Sequence, residues 1–247
     1  MQRFQPPRGR WTAILTALSW SLVPWLLVAL AAPAIAQAAA AGSKDDPIEI
    51  VAFGDSLTQG YGVAPGKAFP ERLQAALRAD GLNVSVDNAG VSGDTTTGGL
   101  SRLNWSVPAS ADLVIVELGA NDALRGISPE ITRNNLDAIL KRLTERGQKV
   151  VFAGMLAPPN MGEDYAGAFN AIYPALAKKY PVTFYPFFLE GVAAQPGLNQ
   201  ADGMHPNEEG VDKIVAAMKP MIETALGAKA AGETQSKDAG TNGTASN

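Results

Sequence analysis

Between residues 46 and 227 a short apolar run gives way to a longer amphipathic one five times, and that alternation limits the chain to few folds. The short runs fall at 48–53, 84–88, 113–116, 149–155 and 182–185. Leu113-Val114-Ile115-Val116 is apolar without interruption, the pattern of a strand covered on both faces. Between the runs, apolar residues return at spacings of three and four, as on one face of a helix. Phe69, Leu73, Ala76 and Leu77 make one such stripe. Leu136, Ile139, Leu140 and Leu143 make another, and Phe169, Ile172, Tyr173 and Leu176 a third. A last stripe, after Asn207, holds Val211, Ile214, Val215, Met218 and Ile222, with Glu208 and Glu209 placed to favour the helix N-terminus through its dipole. Helices are therefore expected over 70–79, over 129–146, around 169–176 and after 207, with a short one near Leu100. Strand followed by helix, repeated, predicts an α/β chain, a three-layer α/β/α sandwich on a five-stranded parallel sheet. With the order 2-1-3-4-5, the ends of its first three strands would lie on adjacent strands around the point where the order reverses.

The two ends read differently. Arg3, Arg8 and Arg10 precede an apolar run from Trp11 to about Ala32, and Ala34-Ile35-Ala36 offers the small-x-small pattern of a cleavage site. Residues 1–36 are expected to be a signal peptide for the general secretory route, since Arg8-Gly9-Arg10 is no twin-arginine pair. The run is long for a signal peptide, so an uncleaved membrane anchor is the competing reading. Residues 37–46 are then a linker, 47–227 the folded domain and 228–247 a Gly-, Ala-, Thr- and Ser-rich tail with too little apolar surface to pack. The expected location is the periplasm or outside the cell.

Composition removes several function classes. There is no cysteine, hence no disulfide, thiolate nucleophile or lipid-modified cysteine, and a single histidine, His205, cannot build a His-rich metal centre. No metal and no cofactor are expected. Loss of residues 1–36 takes three arginines and no acid from a formal charge of −4, leaving −7. An acidic chain without a basic stripe is a poor nucleic-acid ligand. Membrane contact is expected only through the N-terminal segment if it is retained, and the chain is expected to act as a monomer.

The polar residues gather where strands end. Gly54-Asp55-Ser56 follows the first strand, Gly90-Val91-Ser92-Gly93 the second and Gly119-Ala120-Asn121-Asp122 the third. In an open parallel sheet, ligands bind beyond the carboxyl ends of strands where the order reverses. Acyl transfer needs a nucleophile, a base, an acid to orient the base and donors for the oxyanion. Ser56 fits the first role and His205 the second, and Asp202 reaches the imidazole through a turn at Gly203. Pro206 biases His205 toward an extended backbone. The backbone amides of Ser56 and Gly93 and the side-chain amide of Asn121 are the candidate oxyanion donors. Asp55, Asp94 and Asp122 read as structural or capping carboxylates. The segments 122–126 and 156–165 are expected to flank the acyl pocket, with Asp122, Leu124, Leu156 and Pro158 as candidate substrate contacts. A histidine base works only when neutral, so hydrolysis is expected to rise through about pH 6–7.5.

These residues, in this order, resemble the SGNH hydrolases, also called GDSL-type esterases and lipases. Gly54-Asp55-Ser56-Leu57 is similar to their nucleophile block, Gly90-x-Ser92-Gly93 to the glycine block, Gly119-x-Asn121-Asp122 to the asparagine block and Asp202-x-x-His205-Pro206 to the acid–base block. Residues 54–61, 116–122, 171–174, 186–188 and 202–207 resemble most the secreted thioesterase I, lysophospholipase and arylesterase group. The resemblance implies a flavodoxin-like sandwich, hydrolysis of carboxylic esters with thioesters as a further class, and no metal. A carbohydrate acetylesterase and a non-catalytic periplasmic binding protein are the alternatives. No Gly-x-Ser-x-Gly surrounds Ser56, which excludes the α/β-hydrolase elbow, and no phosphate-binding glycine fingerprint follows a strand.

Overall fold

The structure is a computed structural model that describes residues 46–227. The expected signal peptide or anchor, most of the linker, and the tail lie outside the described residues. Five parallel strands form one sheet of order 2-1-3-4-5: β1 (Ile48–Gly54), β2 (Val84–Gly90), β3 (Leu113–Glu117), β4 (Lys149–Ala153) and β5 (Thr183–Tyr185). The register pairs Gly54 of β1 with Gly90 of β2 and with Glu117 of β3, so three strands end side by side. That common edge is the point where strand order reverses.

The α-helices among the described residues are α1 (Ser56–Gln59), α2 (Phe69–Ala79), α3 (Thr96–Ser106), α4 (Ala120–Leu124), α5 (Pro129–Glu145), α6 (Glu163–Asn170), α7 (Ile172–Lys179) and α8 (Glu208–Leu226). The connection from β1 to β2 runs the opposite way along the sheet from the later ones. Right-handed crossovers therefore put α2 on one face and α3, α5 and α7 on the other. In keeping with this, α2 packs on α8 and α3 on α5. The expected stripes are the buried ones: Leu136, Ile139, Leu140 and Leu143 of α5 and Val211, Ile214, Val215, Met218 and Ile222 of α8 are all in the core.

Local chemistry sets the helix ends. Ser128 and Asn207 cap α5 and α8 by accepting from the amides of Glu130 and Gly210, and Pro129 begins α5 where no intrahelical donor is needed. Three expectations are corrected. The helix expected around 169–176 is two helices broken at Ala171, because Pro174 lacks the N–H that would bond the carbonyl of Asn170. The strand expected over 149–155 stops at Ala153, beyond which Gly154 leaves no room for a Cβ against the Pro186 carbonyl. The two one-turn helices α1 and α4, too short for a periodicity signal, were not expected; both begin right after a strand and carry site residues.

Ile139, fully buried in α5, reports on the integrity of this core. Ile139→Ala should cost about 2–5 kcal/mol in urea unfolding with an unchanged denaturant slope.

Candidate active site

The chain leaves β1 at Gly54 and turns at once into α1. Asp55 caps that helix, its Oδ1 accepting from the Leu57 amide at 3.0 Å, and Ser56 is the first helical residue. Gly54 is required by space rather than by backbone angle. A Cβ there would sit 2.5 Å from Glu117 Oε2 and 2.7 Å from the Glu117 carbonyl. The same crowding holds at Gly90, where a Cβ would lie 2.6 Å from the Gln59 Cα of α1.

Ser56 Oγ lies 2.9 Å from His205 Nε2, across 149 residues of sequence, and His205 Nδ1 lies 2.6 Å from Asp202 Oδ2. The other oxygen of Asp202 accepts from the backbone amides of Met204 at 2.9 Å and His205 at 3.0 Å. Gly203 takes φ +69° to close that turn, an angle that favours glycine. The backbone amides of His205 and Met204, and then the imidazole, hold the Asp202 carboxyl down to about 2. Above that pH it is therefore an anion that accepts the Nδ1 proton, which leaves Nε2 with a lone pair facing the Ser56 hydroxyl.

Two of the expected oxyanion donors sit on separate segments, Asn121 in a helix and Gly93 in a loop. Asn121, in α4, donates from Nδ2 to Asp55 Oδ2 at 3.0 Å, which occupies one of its two amide hydrogens and leaves the other. Gly93 sits at φ +76°, and its carbonyl accepts from the Arg125 guanidinium at 2.7 Å. Arg125 directly follows α4, so this bond ties the Gly93 loop to the element that carries Asn121.

Close to Ser56 lie two buried carboxyls. Glu117, 1% exposed at the end of β3, receives the Thr58 hydroxyl at 2.7 Å and the Asp55 amide at 3.3 Å on Oε2. Its Oε1 is buried with no hydrogen-bond partner. Burial, reinforced by the neighbouring Asp55, pushes Glu117 well above the usual carboxylate range. Burial also raises Asp55 to about 6, against the opposing pull of the Leu57 amide and the Asn121 side chain. Glu117, buried and also subject to the Asp55 charge, is pushed further up than Asp55, which favours its uncharged form.

Arg102 of α3 joins the strand ends. Its guanidinium donates to the Gly54 carbonyl at 2.8 Å, the Ala89 carbonyl at 2.8 Å and Asp94 Oδ2 at 2.7 Å, and it lies 4.2 Å from the centre of the Phe53 ring. The residue is buried, and neither it nor Glu117 was singled out from the sequence. The signal was present in both. Arg102 shares the inner stripe of its helix with Gly99 and Leu103, where a charge without partners would be costly. Glu117 ends a strand that is otherwise wholly apolar.

The four candidate substrate contacts separate. Leu124 and Leu156 are half-exposed, and Pro158 is partly buried beside a 3-10 turn at Pro159–Met161. Asp122 is fully buried and has no surface to offer a substrate. Its carboxylate accepts from the Thr96 amide at 2.8 Å, the Thr96 hydroxyl at 2.5 Å and the Thr132 hydroxyl at 3.1 Å, joining α3, α4 and α5. Asp122 is thus a structural carboxylate and not a substrate contact, because its charge is taken up by Thr96 and Thr132 inside the fold. Asp55 and Asp94 are likewise held inside the fold. Among the described residues no group of three or more His, Asp or Glu side chains is placed to hold a metal ion.

Residues 52–213 match the model of the GDSL-like Lipase/Acylhydrolase family. An arylesterase of Vibrio mimicus is 41% identical over 162 residues, covering 65% of this chain and 81% of that protein. A protein of Escherichia coli strain K12 named Thioesterase 1/protease 1/lysophospholipase L1 is 36% identical over 178 residues, covering 70% of this chain and 84% of its own length. Among solved structures, AlinE4, described as an SGNH-hydrolase family esterase, superposes with a TM-score of 0.62 at 47% identity over 74% of this chain and 99% of the other.

The two arginines should separate in a stability measurement. Arg102→Ala strands a largely buried Asp94 carboxylate and should cost about 3–5 kcal/mol of unfolding free energy. Arg125→Ala, at an exposed position with one bond to a carbonyl, should cost about 1 kcal/mol.

Proposed function

This chain belongs to the GDSL-like lipase/acylhydrolase family and is an ester-cleaving serine hydrolase, and we propose that Ser56 is its nucleophile, His205 its base and Asp202 the carboxylate that orients the base. The observation that carries these assignments is the unbroken chain from Asp202 Oδ2 through the imidazole to Ser56 Oγ, at 2.6 and 2.9 Å.

In this reading the Ser56 hydroxyl attacks the ester carbonyl carbon as its proton passes to His205 Nε2. Asp202 stabilises the imidazolium that forms. Negative charge on the former carbonyl oxygen is met by the amides of Ser56 and Gly93 and by the Asn121 hydrogen that Asp55 leaves free. When the tetrahedral adduct collapses, the bond to the alcohol oxygen breaks, and that oxygen takes the proton from Nε2. Water then enters, gives a proton to His205 and attacks the acyl carbon, and the acid departs as Ser56 regains its hydrogen.

The substrate side is supported by the rim. Tyr61, Val91, Leu124, Leu156 and Met204 are half-exposed apolar side chains, and each lies within a few residues of a site residue or of the end of β4. An apolar rim suits aryl esters, short-to-medium acyl esters and lysophospholipids better than acetylated sugars, whose alcohols are polar on every side. The names of the relatives support esters of this kind, with thioesters as a second class. Export is proposed from residues 1–36 alone, and no helix among the described residues is long and apolar enough to cross a membrane.

Ser56→Ala should fold as the parent does and lose nearly all hydrolysis of p-nitrophenyl butyrate; retained turnover would remove Ser56 from the mechanism. Asp202 is already ionised above about pH 2, so it contributes no acid limb to the rate. The profile of kcat/KM should therefore rise as His205 becomes neutral, with no separate limb from Asp202, and then level off. Asp202→Asn should lower kcat by roughly 10³–10⁴-fold by stabilising the wrong imidazole tautomer. A fall of less than tenfold would mean that Asp202 does not orient the base.

A further inference from the structure

We propose that Tyr61 forms the leaving-group subsite and selects esters whose alcohol is aromatic, an inference that rests on the assignment of Ser56 and His205. Tyr61 lies just beyond α1, and its backbone is held from both sides of the site. Its amide donates to the Ser56 carbonyl at 3.1 Å, and its carbonyl accepts from Gln200 Nε2 at 2.7 Å. Gln200 in turn belongs to the histidine loop: its amide donates to the His205 carbonyl at 2.8 Å and its side chain to the Pro206 carbonyl at 2.9 Å. Gly62, at φ +74°, makes room for that side chain, since a Cβ there would collide with it.

The ring so positioned lies with its centroid 4.7 Å from that of the imidazole, tilted by 40°, and the residue is 53% exposed. A scattered surface tyrosine has no special meaning. This one is fixed to the nucleophile's helix through its backbone and to the base through its ring, and a large part of it faces solvent.

The chemistry says what passes there. For the alcohol to leave, its oxygen must come within hydrogen-bond reach of Nε2, so the group on that oxygen lies on the imidazole side of Ser56. Leu124 shares α4 with Asn121, and Leu156 follows β4, the strand beside β3, so exposed apolar side chains other than Tyr61 are available to the acyl chain. A planar aromatic alcohol offers Tyr61 an offset or edge-on contact that an alkyl group cannot match. The same contact holds the imidazole, and the two roles differ in their dependence on substrate. Orientation of His205 would affect every ester equally, whereas a leaving-group contact would favour aryl esters.

The test compares an aryl acetate with a fluoroalkyl acetate of matched leaving-group acidity. Both give the same acetyl-enzyme, so a difference in kcat/KM reports the leaving group alone. Tyr61→Ala should lower kcat/KM for the aryl acetate by about 3–10-fold more than for the fluoroalkyl acetate. Tyr61→Phe, which keeps the ring, should retain the parent's preference. Equal losses for both esters, or no loss for either, would overturn the proposal. Labelling of the parent protein with a fluorophosphonate separates the two levels. A label on Ser56 together with equal losses removes only the role of Tyr61, whereas no label on Ser56 removes the nucleophile assignment and this inference with it.

Discussion

A single buried guanidinium gathers the carboxyl ends of two neighbouring strands. Arg102 reaches the last carbonyl of β1 and the penultimate one of β2, and pairs with Asp94 just past Gly93. Parallel strands twist, and their ends splay unless something bridges them. Here the bridge falls where the strand order reverses, so the turn into α1 that carries Ser56 and the loop bearing Gly93 are held at a set spacing. The ring of Phe53 beneath the guanidinium and the neighbouring Asp94 offset part of the cost of burying that charge. The rest of the site inherits this spacing. From it follow the turn into α1, the bond between Asp55 and Asn121, and the Arg125 contact that closes the ring of loops.

Electrostatics around Ser56 are arranged with the same economy. Asp202, the carboxylate proposed to orient the base, is near solvent and bonded to two backbone amides, which hold its pKa low. The two near Ser56, Asp55 and Glu117, are buried, and their pKa values are raised. Glu117 anchors the Thr58 hydroxyl and the Asp55 amide, and its raised pKa favours the uncharged form close to Ser56. Asp55 meanwhile orients Asn121 while capping the helix that begins with Ser56.

Much of this was legible in the sequence, for physical reasons that can be named. The parallel sheet follows from the alternation of apolar periods, and the helix faces follow from those periods and, once the strand order is given, from the handedness of crossovers. Ser56, His205 and Asp202 stood out because their residue types and positions relative to strand ends match one kind of chemistry. Lone histidine, in particular, left a single choice of base. What escaped was the set of residues that act through others. Arg102 and Glu117 are defined by contacts across 48 and 59 or more positions of sequence, which no local pattern encodes. Asp122 shows the converse error: it lies beside Asn121 in sequence, but one step along a helix turns its carboxylate inward to Thr96 and Thr132.

The central claim is that His205 is the base that activates Ser56, and the sequence makes it open to direct measurement. His205 is the only histidine, so its imidazole signals in an NMR titration need no assignment among rivals. The midpoint of that titration in the free enzyme should coincide with the acid limb of kcat/KM. A rate limb displaced from the histidine titration by a full pH unit or more would contradict the account.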